Sequence, residues 1–174
     1  MDFELNDEQK LLRDTTKDLL ARSYDAEKRN AIIDSDPGWS PQVWKQLAEV
    51  GLLGLTFSED DGGMDAGPVE IGAVMTEIGR RLAPEPLLDA VVTPGGLISE
   101  GGSAEQRSSI LPGVAEGTTF LAFADQEPGI RWPATERATA AAQVDGGWTI
   151  TGIKNPVGHG ATADILVVSA ALPG

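Results

Sequence analysis

The sequence predicts an α+β fold: an all-helical N-terminal domain over residues 1–117, followed by part of an antiparallel β domain over residues 118–174. Three observations point there. Apolar residues recur at helical spacing as far as Gly117, with short polar loops between the periodic stretches. Two capping boxes, Asn6 with Gln9 and Ser103 with Gln106, open the first and last of those stretches. From Thr118 the period changes, and short apolar runs bounded by Gly and Pro take over.

Residues 1–22 form the first expected helix, with Leu12, Thr16, Leu19 and Leu20 on one face. Residues 27–34 form a shorter one anchored by Ile32 and Ile33, and Asp36-Pro37-Gly38 is a turn. Ser40-Pro41 is a cap with proline at the first helical position. The helix behind it turns Val43, Trp44, Leu47 and Ala48 inward until Gly51 ends it. Leu52, Leu53 and Leu55 make a buried connector into a Gly/Asp loop, where Asp60-Asp61 reads as solvated and Gly62-Gly63 by itself as a plain turn. Residues 68–82 form a strong helix whose stripe of Val69, Gly72, Ala73, Thr76 and Gly79 predicts close packing against another helix; Arg80-Arg81 in its last turn suit the helix dipole. Residues 87–100 are apolar but broken by Pro94-Gly95-Gly96, so two short helical pieces are expected. The helix opened by Ser103 is expected to be interrupted near Pro112 and ended by Gly117. Residues 118–124 are strand-like. Residues 138–144 and 148–151 flank Asp145-Gly146-Gly147 as a hairpin, and 165–169 is a buried strand.

Composition narrows the chemistry. There is no cysteine, which excludes disulfides, thiolate catalysis and Cys-ligated metal, and makes a reducing cytoplasm the expected home. The single histidine, His159, argues against a His-rich metal site or a Ser–His triad; in its Gly-rich loop it is expected to be exposed. A formal net charge of −14 repels phosphate backbones, so no nucleic acid is expected as a partner. No apolar run approaches a membrane span, so no membrane is expected either. Asp125 and Glu127 alternate on a strand end and face the same way, but they lack a third ligand, and no metal is expected. No carboxylate pair stands out as an acid/base couple, so no catalytic residue is assigned. Trp39, Trp44 and Trp148 are expected to pack, whereas Trp132, directly after the Glu127-Pro128 break, is placed toward a ligand.

Two stretches carry the functional reading. FLAFADQEPGIRW, residues 120–132, opens as an apolar strand and breaks at Pro128; GIKNPVGHGATAD, residues 152–164, contains Pro156 and leads into another apolar run. Each proline stops ladder pairing and frees backbone groups that can cradle a planar ligand. The order Phe-Ala-x-x-Glu-Pro, then Gly-Trp-x-x-x-Gly-x-Lys, then Ala-Asp-x-Leu-Val-Val resembles the flavin-binding middle domain of the acyl-CoA dehydrogenases. The opening Asp-Phe-x-Leu-x-x-Glu-Gln-x-x-Leu, the Leu-Gly-Leu connector and the Gly-Gly loop occur in the same family order. Within the family the chain is most similar to the small subunit of pimeloyl-CoA dehydrogenase and to subunits of heteromeric dehydrogenases that shorten steroid side chains.

The resemblance implies a helical N-terminal domain, a β middle domain and a C-terminal bundle, with FAD between the last two and a neighbouring subunit completing its site. A glutamate of the bundle takes the α proton of an acyl-CoA while the flavin takes the β hydride. Bundle and base are not in this sequence, so the isolated chain is expected to be inactive. Phe123, Asp125, Gln126, Pro156, Val157 and Gly158 are the implied FAD-facing residues. Arg131 and Trp132 are implied at the acyl-CoA substrate, with Leu88, Val91 and Val92 along its acyl chain. Three places depart from the family pattern. Gln126 stands where a threonine is usual, Arg131-Trp132-Pro133 where Gly-Ser-Asp is usual, and Gly158 where a hydroxyl residue is usual. The implied partners are another acyl-CoA dehydrogenase subunit, in a homo- or hetero-oligomer, and electron-transferring flavoprotein. The alternative is a non-catalytic subunit or binding module derived from the family, binding neither flavin nor substrate.

Overall fold

The computed structural model describes residues 4–130 and 136–172. Among them, helices occupy the chain up to Ala115 and strands begin at Leu121. Helix α1 (Asp7–Ser23) opens at Asn6, whose side chain accepts from the Gln9 N–H at 2.8 Å while Gln9 Oε1 accepts from the Asn6 N–H at 2.9 Å. Helix α2 (Ala26–Ile33) is capped by Asp25, and α3 (Pro41–Glu49) by Ser40. Val43, Trp44 and Leu47 of α3 are buried, as the spacing requires. Gly51 ends that helix at φ +79°, a conformation that favours glycine.

The buried turn Leu52–Gly54 leads to Phe57, which is completely enclosed. Here the Gly-Gly pair is more than a plain turn. Gly62 sits at φ +83°, and a Cβ on Gly63 would press on the Phe57 carbonyl and lie 2.5 Å from the Gly54 carbonyl oxygen. Asp61, expected in solvent, is buried: it accepts from Ser58 Oγ at 3.0 Å and pairs with Arg107 at 3.4 Å. A partner brought in from a distant helix made that burial possible, and the local acidic run gave no sign of it.

Helix α4 (Pro68–Arg81) packs against α1 and buries Val74, Glu77 and Ile78. Its small-residue stripe is not its packing face; Val69, Gly72, Thr76 and Gly79 are exposed. The larger Val74 and Ile78 remove more apolar area from water than the stripe can. Arg80 pairs with buried Glu77 at 2.6 Å, so the last-turn charge compensates a carboxylate as well as the dipole.

The expected break at Pro94 is absent. A wide π turn, Leu88–Val92, runs directly into α5 (Thr93–Gly101). Proline cannot bond the carbonyl four residues back, and the wider turn before it accommodates the missing N–H. Helix α6 (Ala104–Ala115) likewise runs through Pro112, held by fully buried Leu111 and Val114 on either side, and Gly117 at φ +72° follows it.

Strand β1 (Leu121–Ala124) pairs in parallel with β4 (Ile165–Val168), Leu121 opposite Ile165 and Ala124 opposite Val168. Strands β2 (Ala140–Val144) and β3 (Gly147–Thr151) form the expected antiparallel hairpin, with Gln143 opposite Trp148. β1 is almost wholly buried, against the π turn and α5, whereas every residue of β3 is exposed. Trp148, expected to pack, is 54% exposed because no layer covers its face of the hairpin among the described residues. Trp39 and Trp44 do pack: their rings lie 5.3 and 5.2 Å from Phe120 just before β1. His159, expected in solvent, is partly buried with its ring edge-on to the same Phe120 at 6.2 Å. No helix among the described residues is long and apolar enough to cross a membrane.

Candidate functional site

Because β1 and β4 run in parallel, their C-terminal ends meet on one side of the molecule. Asp125, Gln126 and Glu127 follow β1 there, and Ser169 follows β4. The chain leaving β3 brings in Lys154. It approaches closely at Gly152, where a Cβ would lie 2.6 Å from the Thr139 Cα. The Lys154 ammonium donates to Glu127 Oε1 at 2.8 Å, to the Asp125 carbonyl at 3.1 Å and to Ser169 Oγ at 3.1 Å. Glu127 is buried and also accepts from the N–H groups of Ala138 (2.8 Å) and Thr139 (2.9 Å). The hydrogen bond from Lys154, then those from the two amides, hold its carboxyl far below the usual carboxylate range. Asp125 pairs with Arg137 at 2.8 Å and accepts from Ser169 Oγ at 2.7 Å. The two strand-end carboxylates therefore face cations of the protein itself. Among the described residues no three His, Cys, Asp or Glu side chains gather for a metal.

Beside this network lies a cavity of about 320 Å³ lined by Phe123, Asp125, Gln126, Pro156 and Gly158, with Asp89 and Thr93 from the helices opposite. Five of the six residues assigned to the cofactor thus converge. The sixth, Val157, is partly buried one residue behind the rim. The Asn155 N–H donates to the Gln126 carbonyl at 2.9 Å and ties the two walls together. Asp89 and Thr93 were not singled out in the sequence. Their one signal was being polar residues, four apart, in an otherwise apolar run. Asp89 Oδ2 lies 3.9 Å from where a Cβ on Gly158 would sit, so a carboxylate faces the position that lacks a hydroxyl. Leu88 beside it is half-exposed, Val92 is partly buried and Val91 is enclosed in the helical core. Arg131 and Trp132 lie outside the described residues. A flat ring, Phe123, and an exposed amide, Gln126, which donates and accepts, suit a planar ligand whose edge alternates acceptors and donors.

Two other features compete for attention. The first is a cavity of about 780 Å³ among α1, α2 and α3 with Leu19, Ile32 and Val43 on its wall. Arg22, Ser23, Lys28, Gln42, Gln46 and Glu49 share that wall, and no described residue of the strand ends does. The second is Glu85, buried where α1 ends and α3 begins. Its Oε1 accepts from the Tyr24 hydroxyl and from the Ser40 N–H at 3.1 Å, while Oε2 has no protein partner among the described residues. Burial pushes the Glu85 carboxyl up, and burial together with Glu85 pushes the Tyr24 hydroxyl up.

Residues 6–118 match the family described as "Acyl-CoA dehydrogenase, N-terminal domain". Over 116 residues, 65% of this chain and 29% of the relative, the sequence is 34% identical to the acyl-CoA dehydrogenase FadE12 of Mycobacterium tuberculosis. A variant of the Tcur3481-Tcur3483 steroid ACAD superposes with a TM-score of 0.87 at 31% identity, covering 95% of this chain and 45% of that one. The ChsE4-ChsE5 complex from Mycobacterium tuberculosis superposes with a TM-score of 0.87 at 25% identity, covering 99% and 46%. The chain spans under half the length of these solved relatives and less than a third of FadE12.

Proposed function

Since the chain belongs to the acyl-CoA dehydrogenase family, we propose that it supplies the helical domain and part of the flavin-facing β domain of an FAD-dependent oxidoreductase that introduces an α,β double bond into an acyl-CoA thioester. The observation that carries this reading is the convergence of Phe123, Asp125, Gln126, Pro156 and Gly158 on one cavity. The residues fit the ring of the cofactor. Gln126 would meet its pyrimidine edge, Phe123 and Pro156 would lie along its faces, and Gly158 leaves room beside it. They do not fit its pyrophosphate, since Asp89 brings a carboxylate to the cavity and no Lys or Arg is among its described lining residues. The phosphates would therefore have to be held outside this cavity. When bound, the flavin supplies the hydride acceptor. This chain's own residues would hold the ring and exclude water from it. Leu88 and Val92 are placed to meet the acyl chain, whereas Val91 would be reached only by displacing its core neighbours. Residues 1–117 and 118–174 are proposed as the two domains.

The remainder of the reading concerns the whole assembly: a cytoplasmic homo- or hetero-oligomer, with a second subunit completing the site and electron-transferring flavoprotein as the electron acceptor. Solved relatives named as a Tcur3481-Tcur3483 steroid ACAD and as a ChsE4-ChsE5 complex support a hetero-oligomer. The second reading is a subunit that packs on a catalytic partner and binds no flavin. The carboxylate of Asp89, in place of a hydroxyl at Gly158, favours it. Titrating the purified chain with FAD separates the two. Quenched flavin fluorescence that Gln126→Ala weakens supports the first, and fluorescence identical to free FAD at every protein concentration refutes it. Dye reduction by the chain alone on adding acyl-CoA is not expected under either reading.

A further inference from the structure

Lys154 does not line the cavity, yet all three of its ammonium protons are committed within 3.1 Å, to residues from two different chain segments. Its side chain is 7% exposed and that of its partner Glu127 is 3% exposed. A buried ion pair rarely adds net stability over a well-packed apolar pair of the same volume, because desolvating both charges offsets their attraction. Core stability is therefore a poor reason for both charges to be here. Geometry is a better one. The next residue, Asn155, donates its N–H to the Gln126 carbonyl, and Pro156 and Gly158 of the cavity follow at once. The two walls are thus joined twice within consecutive residues, once through a side chain and once through the backbone. Ser169 and Arg137 fix the Asp125 carboxylate from the other side. Glu127, through the Ala138 and Thr139 amides, anchors the root of the hairpin to the same point.

We propose that Lys154 is a positioning residue that sets the spacing between the Asp125–Gln126 wall and the Asn155–Gly158 wall and so pre-forms the ring slot. The proposal rests on the flavin reading of that slot. It differs from a packing role because it concerns where the two walls stand, and not whether the chain folds.

The test compares the full 174-residue chain with Lys154→Met and with the double variant Glu127→Gln/Lys154→Met, which leaves no buried charge unpaired. Amide hydrogen exchange and FAD fluorescence titration are read for each. In the double variant, amides of α1 to α6 keep their wild-type protection, the Asn155 amide exchanges at least about tenfold faster, and FAD binds at least about tenfold more weakly. Unchanged Asn155 exchange overturns the proposal. So does a uniform loss of protection across the helices, or a double variant that does not fold, since either makes Lys154 a plain stability residue. A wild-type chain that fails to bind FAD removes the flavin reading, and the exchange comparison still decides whether Lys154 holds the walls.

Discussion

Phe57, between α3 and α4, is completely enclosed, and α5 crosses its ring only because Gly95 has no Cβ, which would lie 2.6 Å from the ring. Trp148, on the hairpin, leaves 54% of its surface in water, as does 53% of Ile150 on the same face. The helical region is held by apolar burial, the non-directional force that dominates folding. The β2–β3 hairpin buries almost nothing and is held at its root by the Glu127–Lys154 hub. Tolerance should differ accordingly. The helical region should feel changes of volume, and the hairpin changes of charge and hydrogen bonding.

Substitution at the two aromatic positions marks the ends of this contrast. Phe57→Ala is expected to cost about 3–5 kcal/mol in urea denaturation, the range for a fully buried aromatic side chain. A loss under ~1 kcal/mol would mean that the helical region is not governed by packing.

Titration of the two buried glutamates sharpens the contrast at the next level. Glu127, its carboxyl depressed by Lys154 and two amides, stabilises the fold above the ordinary glutamate value of 4.5 and loses that contribution as pH falls through its depressed folded value. Glu85, raised by burial, acts with the opposite sign: its contribution is full below 4.5 and is lost as pH rises through the raised value. Glu85→Gln keeps the acceptor for Tyr24 and Ser40 and removes the titrating group, so it should flatten the dependence of stability on pH above 4.5. A dependence above pH 4.5 that the substitution leaves unchanged would show that the charge of Glu85 is compensated after all. Glu127→Gln should instead flatten the acid limb, which stability curves between pH 2 and 5 would read directly.

The smallest effect is expected on the hairpin face. Trp148→Ser should change the stability of the chain by no more than about 0.5 kcal/mol, as for other surface substitutions. A cost close to that of Phe57→Ala would mean that a layer covers this face, most simply a second copy, which sedimentation would detect.

What could be read from the sequence divides along the same line. Asn6, Ser40, Ser103, Gly51 and Gly117 announce helix boundaries through interactions within a turn of the chain, and Asp145-Gly146 announces the hairpin in the same local way. The π turn before Pro94 was illegible because a proline normally ends a helix, and only the packing of Ala90 and Val91 into the core keeps this one continuous. The exposure of Trp148 was illegible because burial depends on which layers exist around a strand. At the site, Glu127 and Lys154 both stood within the quoted motifs, but nothing in a one-dimensional order says that residues 27 apart share a proton bridge. Asp89 and Thr93 reached the cavity through the packing of β1 against the π turn and α5 that carry them.

The parallel pair of β1 and β4 also has a consequence for the order of assembly. The hairpin closes through a tight local turn, whereas joining β4 to β1 spans a separation such as the 44 residues between Phe120 and Asp164. A loop of that length is closed at an entropic cost before any ladder bond repays it. In kinetic terms, β1 is expected to dock first on the π turn and α5, and β4 to zip onto it late. A substitution that weakens only β4, such as Val167→Ala, should then speed unfolding and leave the folding rate almost unchanged, a pattern that the two arms of a denaturant chevron would separate.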